Sequence, residues 1–182
     1  HSAGNESYRK KLVQYYKKVG INITAEQIII TTGGSEAIIF GFMACMDAGD
    51  EVIIPEPFYA NYNGFAVEAG VVVKPITSSI ENGFALPPIE DFEKVITPKT
   101  KAIVVVHYGG VACEMDEIMD VAKRHSLFVV EDAAQAIDAY YKGRPLGSIG
   151  HLAAFSFHST KNIISGEGGM LVINDSRFLE RS

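Results

Sequence analysis

Apolar residues recur along this chain with two alternating periods, one typical of helices and one typical of buried strands. Between Glu6 and Val19 the apolar positions fall at helical spacing, and Gly20 ends the segment. A β-branched run from Gln27 to Thr32 predicts a strand that stops at Gly33. The same reasoning predicts helices at 35–46, 58–69, 89–96 and 115–125, and strands at 51–54, 71–76, 102–107, 127–132, 153–158 and 170–174.

Strands that alternate with helices pair in parallel through crossover connections. We therefore predict an α/β fold with three layers, α/β/α, around a mostly parallel sheet of about seven strands. The chain has no internal repeat, low-complexity segment or linker. Its 182 residues are within the usual size of one domain, so residues 1–182 are predicted to form a single domain.

The composition is that of an ordinary globular protein, with 47% hydrophobic and 21% charged residues and a net charge of −6. Lysine and arginine are scattered, which argues against a nucleic-acid surface. The longest apolar run, Ala37–Met46, is shorter than the roughly 20 residues of a membrane span. No basic-then-apolar leader opens the chain, and Cys45 and Cys113 stand apart without a CxxC pair. We therefore expect a cytoplasmic protein without a membrane partner.

Two polar residues at the ends of predicted neighbouring strands suggest chemistry. Asp132 ends the apolar run 127–130, and Lys161 follows the strand at 153–158. A desolvated lysine amine forms Schiff bases with carbonyl compounds, and a nearby carboxylate can hold the pyridinium nitrogen of pyridoxal phosphate (PLP). The structural alternatives are a helix cap or buried ion pair for Asp132 and a solvated surface lysine for Lys161. We interpret the pair as a PLP site.

Two further segments follow strands at the edge where α/β sheets bind ligands. The turn Gly33-Gly34-Ser35-Glu36-Ala37 opens a helix, whose N-terminus suits a phosphate. Alone, this motif is better explained as a glycine turn with an N-cap serine. In Pro55-Glu-Pro-Phe-Tyr59 an aromatic ring could stack on a flat cofactor, and core packing explains it equally well.

Other site classes lack their motifs. The histidines, Cys113 and Glu114 match no zinc spacing such as CxxC or HExxH, so no metal site is predicted. GxSxG, GxGxxG and GxxxxGK[ST] are also absent, which removes the main support for hydrolase, nicotinamide and P-loop sites.

In combination the motifs resemble fold-type I PLP-dependent enzymes, the aspartate aminotransferase superfamily, over essentially the whole chain. Residues 1 to about 101 look like class I aspartate-type aminotransferases in three motifs: His1-Ser-Ala-Gly-Asn, Thr31-Thr-Gly-Gly-Ser-Glu-Ala37 and Pro55–Tyr59. Residues from about 107 to 182 look like DegT-type sugar-nucleotide aminotransferases. The motifs there are His107-Tyr-Gly-Gly-Val-Ala-Cys-Glu-Met115, Glu131-Asp-Ala-Ala-Gln-Ala136 and Phe155-Ser-Phe-His-Ser-Thr-Lys161.

The resemblance implies a role for each candidate residue. Lys161 forms the Schiff base and then moves the proton, and Asp132 pairs with the pyridine nitrogen. Gln135 binds the phenolic oxygen of the cofactor, and Tyr59 stacks on its ring. The remaining implied contacts are with the phosphate, from Ser156 and from the turn Gly34-Ser35-Glu36.

Departures from both families shape the functional hypotheses. The class I motif Asn-Pro-x-Asn-Pro-Thr-Gly is replaced after Val106 by His107-Tyr-Gly-Gly. We expect the C-terminal small domain to be absent, together with its substrate-binding arginine, and the chain to be a chimera joined near residues 101–107. The parent families are dimers, which makes a homodimer one expected assembly, and no residue here is a candidate donor of a phosphate contact to a neighbouring subunit.

Three hypotheses remain open. The first is PLP binding through Lys161, with amino transfer from a small-molecule donor to a keto acid or keto-sugar nucleotide and weak or no turnover. The second is a non-catalytic chimeric scaffold without cofactor. The third is another PLP reaction, namely decarboxylation, elimination or racemisation.

Overall fold

The computed structural model describes residues 2–180. His1, which belongs to the first motif of the aspartate-type resemblance, and residues 181–182 lie outside that range. Five α-helices form within it: α1 (Glu6–Lys18), α2 (Gly34–Cys45), α3 (Tyr62–Ala69), α4 (Ile89–Val95) and α5 (Met115–Arg124). The strands are β1 (Ile28–Thr31), β2 (Glu51–Glu56), β3 (Val72–Thr77), β4 (Thr100–Val106), β5 (Phe128–Asp132), β6 (Tyr140–Tyr141), β7 (Arg144–Pro145), β8 (Leu152–Ser156) and β9 (Gly169–Ile173).

Seven of these strands form one sheet in the order β1-β9-β8-β5-β4-β2-β3. Strands β3, β2, β4, β5 and β8 are parallel, whereas β9 runs antiparallel to both β8 and β1. The connection between β8 and β9 contains no helix, so the chain returns in the opposite direction instead of crossing over. The predicted mostly parallel, seven-stranded α/β sheet is confirmed.

Helices cover both faces of this sheet. Apolar residues of α1, α4 and α5 form one buried cluster with one face of the sheet. Those of α2 and α3 form a second cluster with the other face. These are the three layers that the sequence predicted.

Side chains of β5 alternate between the two clusters, as the period of a strand requires. Val129 packs with the α5 side and Val130 with the α2 side. Glu131 and Asp132, which follow them, therefore point to opposite faces at the carboxyl end of the strand. This alternation gives the two adjacent carboxylates entirely different surroundings.

Three details differ from the predicted elements. Helix α3 begins at Tyr62 and not at Phe58, because the Tyr62 N–H closes a turn onto the Tyr59 carbonyl, 2.9 Å away, before the first helical turn. The short hairpin of β6 and β7 was not predicted. Strand β2 also continues through Pro55, which is tolerated because its pairing with β4 ends at Ile53.

Candidate functional site

Asp132 is half-buried at the end of β5 and is held by two hydrogen-bond donors. The Tyr62 hydroxyl donates to Oδ2 at 2.6 Å, and the Ala134 N–H donates to Oδ1 at 3.0 Å. Tyr62 is fully buried. Burial first, and then the neighbouring carboxylate, raises the pKa of Tyr62 well above its ordinary value of 10. The tyrosine is therefore a permanent donor that fixes the orientation of the carboxylate.

Gln135 is fixed by a glycine turn that follows β4. The Gly109 N–H donates to Gln135 Oε1 at 2.7 Å. Gly109 and Gly110 adopt φ values of 61° and 79°, the left-handed region that favours glycine. Because the amide oxygen is already used, the Nε2 hydrogens are left to donate to an acceptor such as a phenolate oxygen.

The N-terminus of α2 lies beside Ser156 at the end of β8. A Cβ on Gly34 would be 3.0 Å from the Ser156 Cβ and 3.5 Å from its Oγ. The N-cap residue is Gly33, which has no side chain to bond the first N–H groups of this 12-residue helix. These N–H groups, the helix dipole and the Ser156 hydroxyl together suit a phosphate.

Ser35 and Glu36 differ in what they can offer to that phosphate. Ser35 is exposed in the first turn of α2. The Glu36 carboxylate instead accepts hydrogen bonds from the Thr32 N–H at 2.6 Å and from its hydroxyl at 3.1 Å. Glu36 can therefore contribute its backbone N–H to an anion, while its side chain serves the turn.

Lys161 lies in the loop between β8 and β9, where its N–H donates to the His158 carbonyl at 2.9 Å. The loop is joined to the segment after β5 by the Asn162 side chain, which donates to the Ile137 carbonyl at 3.0 Å. The lysine is half-buried. Within residues 2–180 its amine makes no hydrogen bond or ion pair. The amine is thus available for a carbonyl compound.

Tyr59 stands apart from these contacts. It lies between β2 and α3 with 59% of its area exposed. Its hydroxyl accepts from Asn61 Nδ2 at 2.8 Å, and its ring centroid is 6.4 Å from that of Phe65. An exposed ring face is compatible with stacking on a cofactor, although no contact within the described part of the chain joins Tyr59 to the other candidates.

Sequence reasoning missed two contributors, Tyr62 and Gly109. Both meet their partners only through the fold: 70 residues separate Tyr62 from Asp132, and 26 separate Gly109 from Gln135. The one signal for Tyr62 was an aromatic residue with a polar tip at helical spacing from Phe58 and Phe65.

The four arginines of the described range all have partners elsewhere. Arg9 donates to the Ala25 carbonyl, and the other three form ion pairs. Those pairs are Arg124 with Glu93 and Asp120, Arg144 with Asp116, and Arg177 with Asp175. None of these contacts joins an arginine to one of the candidate site residues.

Two clefts in the described part of the chain contain none of the candidate residues. One of about 410 Å³ lies at the opposite edge of the sheet, around His151 and Asn174, and an apolar one of about 340 Å³ lies beside α2. Among residues 2–180 no group of three or more His, Cys, Asp or Glu side chains could hold a metal ion. Nor does any helix in that range have the length and apolar character needed to cross a bilayer.

Comparison with known proteins identifies the chemistry of relatives. A family model described as the DegT/DnrJ/EryC1/StrS aminotransferase family matches residues 7–182. Spore coat polysaccharide biosynthesis protein SpsC of Bacillus subtilis is 37% identical over 173 residues, which cover 94% of this chain and 44% of that protein. GDP-perosamine synthase of Caulobacter vibrioides is 38% identical over 166 residues, 90% of this chain and 44% of the relative.

Solved structures of aminotransferases also match this chain. An aminotransferase from Psychrobacter cryohalolentis matches with a TM-score of 0.73 and 38% identity, covering 84% of this chain and 38% of that one. An aspartate aminotransferase double mutant from Thermus thermophilus matches with a TM-score of 0.82 and 26% identity, covering 98% and 49%. This chain therefore spans about half the length, or less, of these relatives. Aminotransferases of the matched family use PLP, which confirms the expected cofactor class.

Proposed function

Because this chain belongs to the DegT/DnrJ/EryC1/StrS aminotransferase family, we propose that it binds PLP through a Schiff base to Lys161 and supports amino-group transfer. The observation that carries the proposal is the orientation of the donors around the site. Tyr62 fixes Asp132, Gly109 fixes Gln135, and the uncapped N-terminus of α2 lies beside Ser156. Each would bind a different group of the same cofactor.

Bound PLP would act as an electron sink for the carbon that loses a proton. Asp132 would hold the pyridine nitrogen in its protonated form, which is the form that withdraws electrons. Gln135 would donate to the phenolic oxygen, and the phosphate would rest against Ser156 and the first N–H groups of α2, including those of Gly34, Ser35 and Glu36. Tyr59 would cover one face of the ring. The Lys161 amine would then accept and return the proton.

For the substrate we propose a small-molecule amino donor and a keto-sugar nucleotide as acceptor, with a keto acid as the alternative. Support comes from the matched family and from relatives whose names include GDP-perosamine synthase. The arginines of the described range have their contacts away from the candidate residues, which favours weak or no turnover of carboxylate substrates by this segment alone. Residues 1–182 would serve as the PLP-binding large domain, in the cytoplasm, with a homodimer as its assembly.

We also propose that residues 1 to about 101 descend from an aspartate-type relative. Support comes from the motifs His1–Asn5, Thr31–Ala37 and Pro55–Tyr59. The family model that runs from residue 7 to residue 182 counts against a join near 101–107. A separate comparison of residues 1–101 with both families would test this origin. A better match to DegT-type proteins would contradict the chimera hypothesis.

The test is a PLP titration of the purified protein, followed by borohydride reduction and peptide mapping. We expect a visible absorbance band that disappears on reduction and a label on Lys161. Lys161→Ala should abolish the band while the far-UV circular dichroism is retained. Lys101→Ala is the matched control and should not affect the band. Lys101 lies at the start of β4, and its amine donates to the Pro98 carbonyl.

The outcomes separate the hypotheses. A band that persists in Lys161→Ala would contradict the assignment of the lysine. A protein that stays colourless at high PLP would favour the cofactor-free scaffold. Conversion of bound PLP to pyridoxamine phosphate by an added amino acid would distinguish amino transfer from decarboxylation, elimination or racemisation.

A further inference from the structure

A buried, hydrogen-bonded pair of side chains, His107 and Glu131, lies on the opposite face of β5 from Asp132. His107 Nε2 and Glu131 Oε2 are 2.9 Å apart, and neither side chain has any exposed area. Glu131 also accepts the backbone N–H groups of Gly147 at 2.8 Å, of Ile149 at 2.7 Å and of Gly150. Four donors therefore satisfy a carboxylate whose burial would otherwise be costly.

The His107 ring is held from both sides. Its Nδ1 accepts the Cys113 N–H at 3.3 Å, so the ring proton that faces Glu131 is on Nε2. The imidazole thus bridges the end of the loop 107–113 and the carboxylate that anchors the loop 146–150. Neither residue is among those proposed to touch the cofactor.

The turn that fixes Gln135 begins at this histidine. The His107 N–H donates to the Asp132 carbonyl at 3.1 Å, and its carbonyl accepts the Gly110 N–H at 3.1 Å. Between these two bonds the Gly109 N–H projects to Gln135 Oε1. The position of that N–H is therefore set by the place of His107 in the core.

We propose that His107 and Glu131 are positioning residues for Gln135. By locking the start of the Tyr108–Gly110 turn, they hold the Gly109 N–H against the amide oxygen, so that Gln135 presents Nε2 to the phenolic oxygen of the cofactor. The pair acts through the turn and not by contact with PLP. This inference rests on the proposed function, because without PLP the orientation of Gln135 has no target.

The first test uses cofactor-free protein and amide hydrogen exchange at Gly109. His107→Gln can keep a donor near Glu131, whereas His107→Asn is too short to reach it. We expect Gly109 to exchange about tenfold faster in His107→Asn, in keeping with the loss of a buried hydrogen bond to a charged group, and to stay within about twofold of the original rate in His107→Gln. Gln135→Ala, a change at an exposed side chain, shows how fast Gly109 exchanges without its acceptor.

Strand amides of β4 and β5 provide the internal control for folding. An unchanged Gly109 rate in His107→Asn would overturn the inference. If that variant does not fold, Glu131→Gln provides the same comparison, since its amide group would face four donors. Gly109 exchange at the original rate in folded Glu131→Gln would equally overturn the inference.

The second test is a pH titration of the visible absorbance of the PLP-bound protein. Loss of an oriented donor disfavours the ionised phenolic oxygen, so the midpoint in His107→Asn should move to higher pH, by up to about one unit or tenfold in proton affinity. Gln135→Ala should move it in the same direction and at least as far. A midpoint that moves in Gln135→Ala but not in His107→Asn would contradict the positioning role. Failure of the original protein to bind PLP would contradict the proposed function alone, because Gly109 exchange still tests the pair.

Discussion

The hydrogen bond between Tyr62 and Asp132 gives the sharpest quantitative prediction. Tyr62→Phe removes only the hydroxyl that lies 2.6 Å from Asp132 Oδ2 and leaves the ring packed between Phe42, Phe58 and Phe65. No cavity larger than one oxygen forms, so the cost is that of a hydrogen bond to a charged group, about 1.5–3 kcal/mol. For a small domain with a urea dependence of about 2 kcal/mol per molar, the unfolding midpoint should fall by roughly 1 M.

A double-mutant cycle separates this bond from other effects. Tyr62→Phe, Asp132→Ala and the double variant are unfolded in urea without PLP, and the coupling free energy is expected to be about 1.5–3 kcal/mol. Tyr59→Phe is the matched control: its hydroxyl is exposed, so its effect should stay within about 0.5 kcal/mol. A coupling below about 0.5 kcal/mol would refute the argument that Tyr62 holds the carboxylate in place.

Two further predictions concern pH and the α2 turn. Burial lowers the pKa of His151, whose Nδ1 accepts the Val129 N–H, so the unfolded chain binds the proton more readily than the folded protein does. The free energy of unfolding should therefore fall as pH drops below about 6.5. His151→Asn should reduce that loss, measured as the difference between urea unfolding at pH 7.5 and at pH 5.5. Equal losses in both proteins would exclude His151 as the cause. A Cβ at Gly169 would lie 2.4 Å from the Gly33 carbonyl carbon, so Gly169→Ala should cost about 1–3 kcal/mol and weaken PLP binding measured by absorbance titration. Gly64→Ala, a position in α3 with no atom within 4 Å of the added Cβ, should be neutral or stabilising by up to about 1 kcal/mol, and an equal loss in both variants would contradict the clash at Gly33.

The layered fold could be predicted from the sequence because the apolar residues of each helix and strand recur with the period of that element. Runs such as 102–106 are apolar and β-branched enough to be buried on both faces, and the helices between strands require crossovers. Strand β9 is the exception: alternation could not reveal its direction, because only the absence of a helix between Ser156 and Gly169 turns the chain around.

The candidate site was only partly accessible, for a related physical reason. Residues such as Asp132 and Lys161 stand out because charge is unusual at the end of a buried strand. Their supporting partners do not, since Tyr62 and Gly109 read as ordinary core and turn residues until the fold brings them together. The different surroundings of Glu131 and Asp132 likewise follow from strand alternation combined with what packs on each face.

The contacts of the site join parts of the chain that are far apart in sequence, as with Gly34 and Ser156 or Tyr62 and Asp132. A ligand that needs all of them at once has no binding surface on the unfolded chain. Its binding energy is therefore added in full to the folding equilibrium, by about 2.7 kcal/mol when the free ligand is at 100 times its dissociation constant. For this protein, the supply of cofactor would set how much of the chain is folded as well as how much of it is loaded.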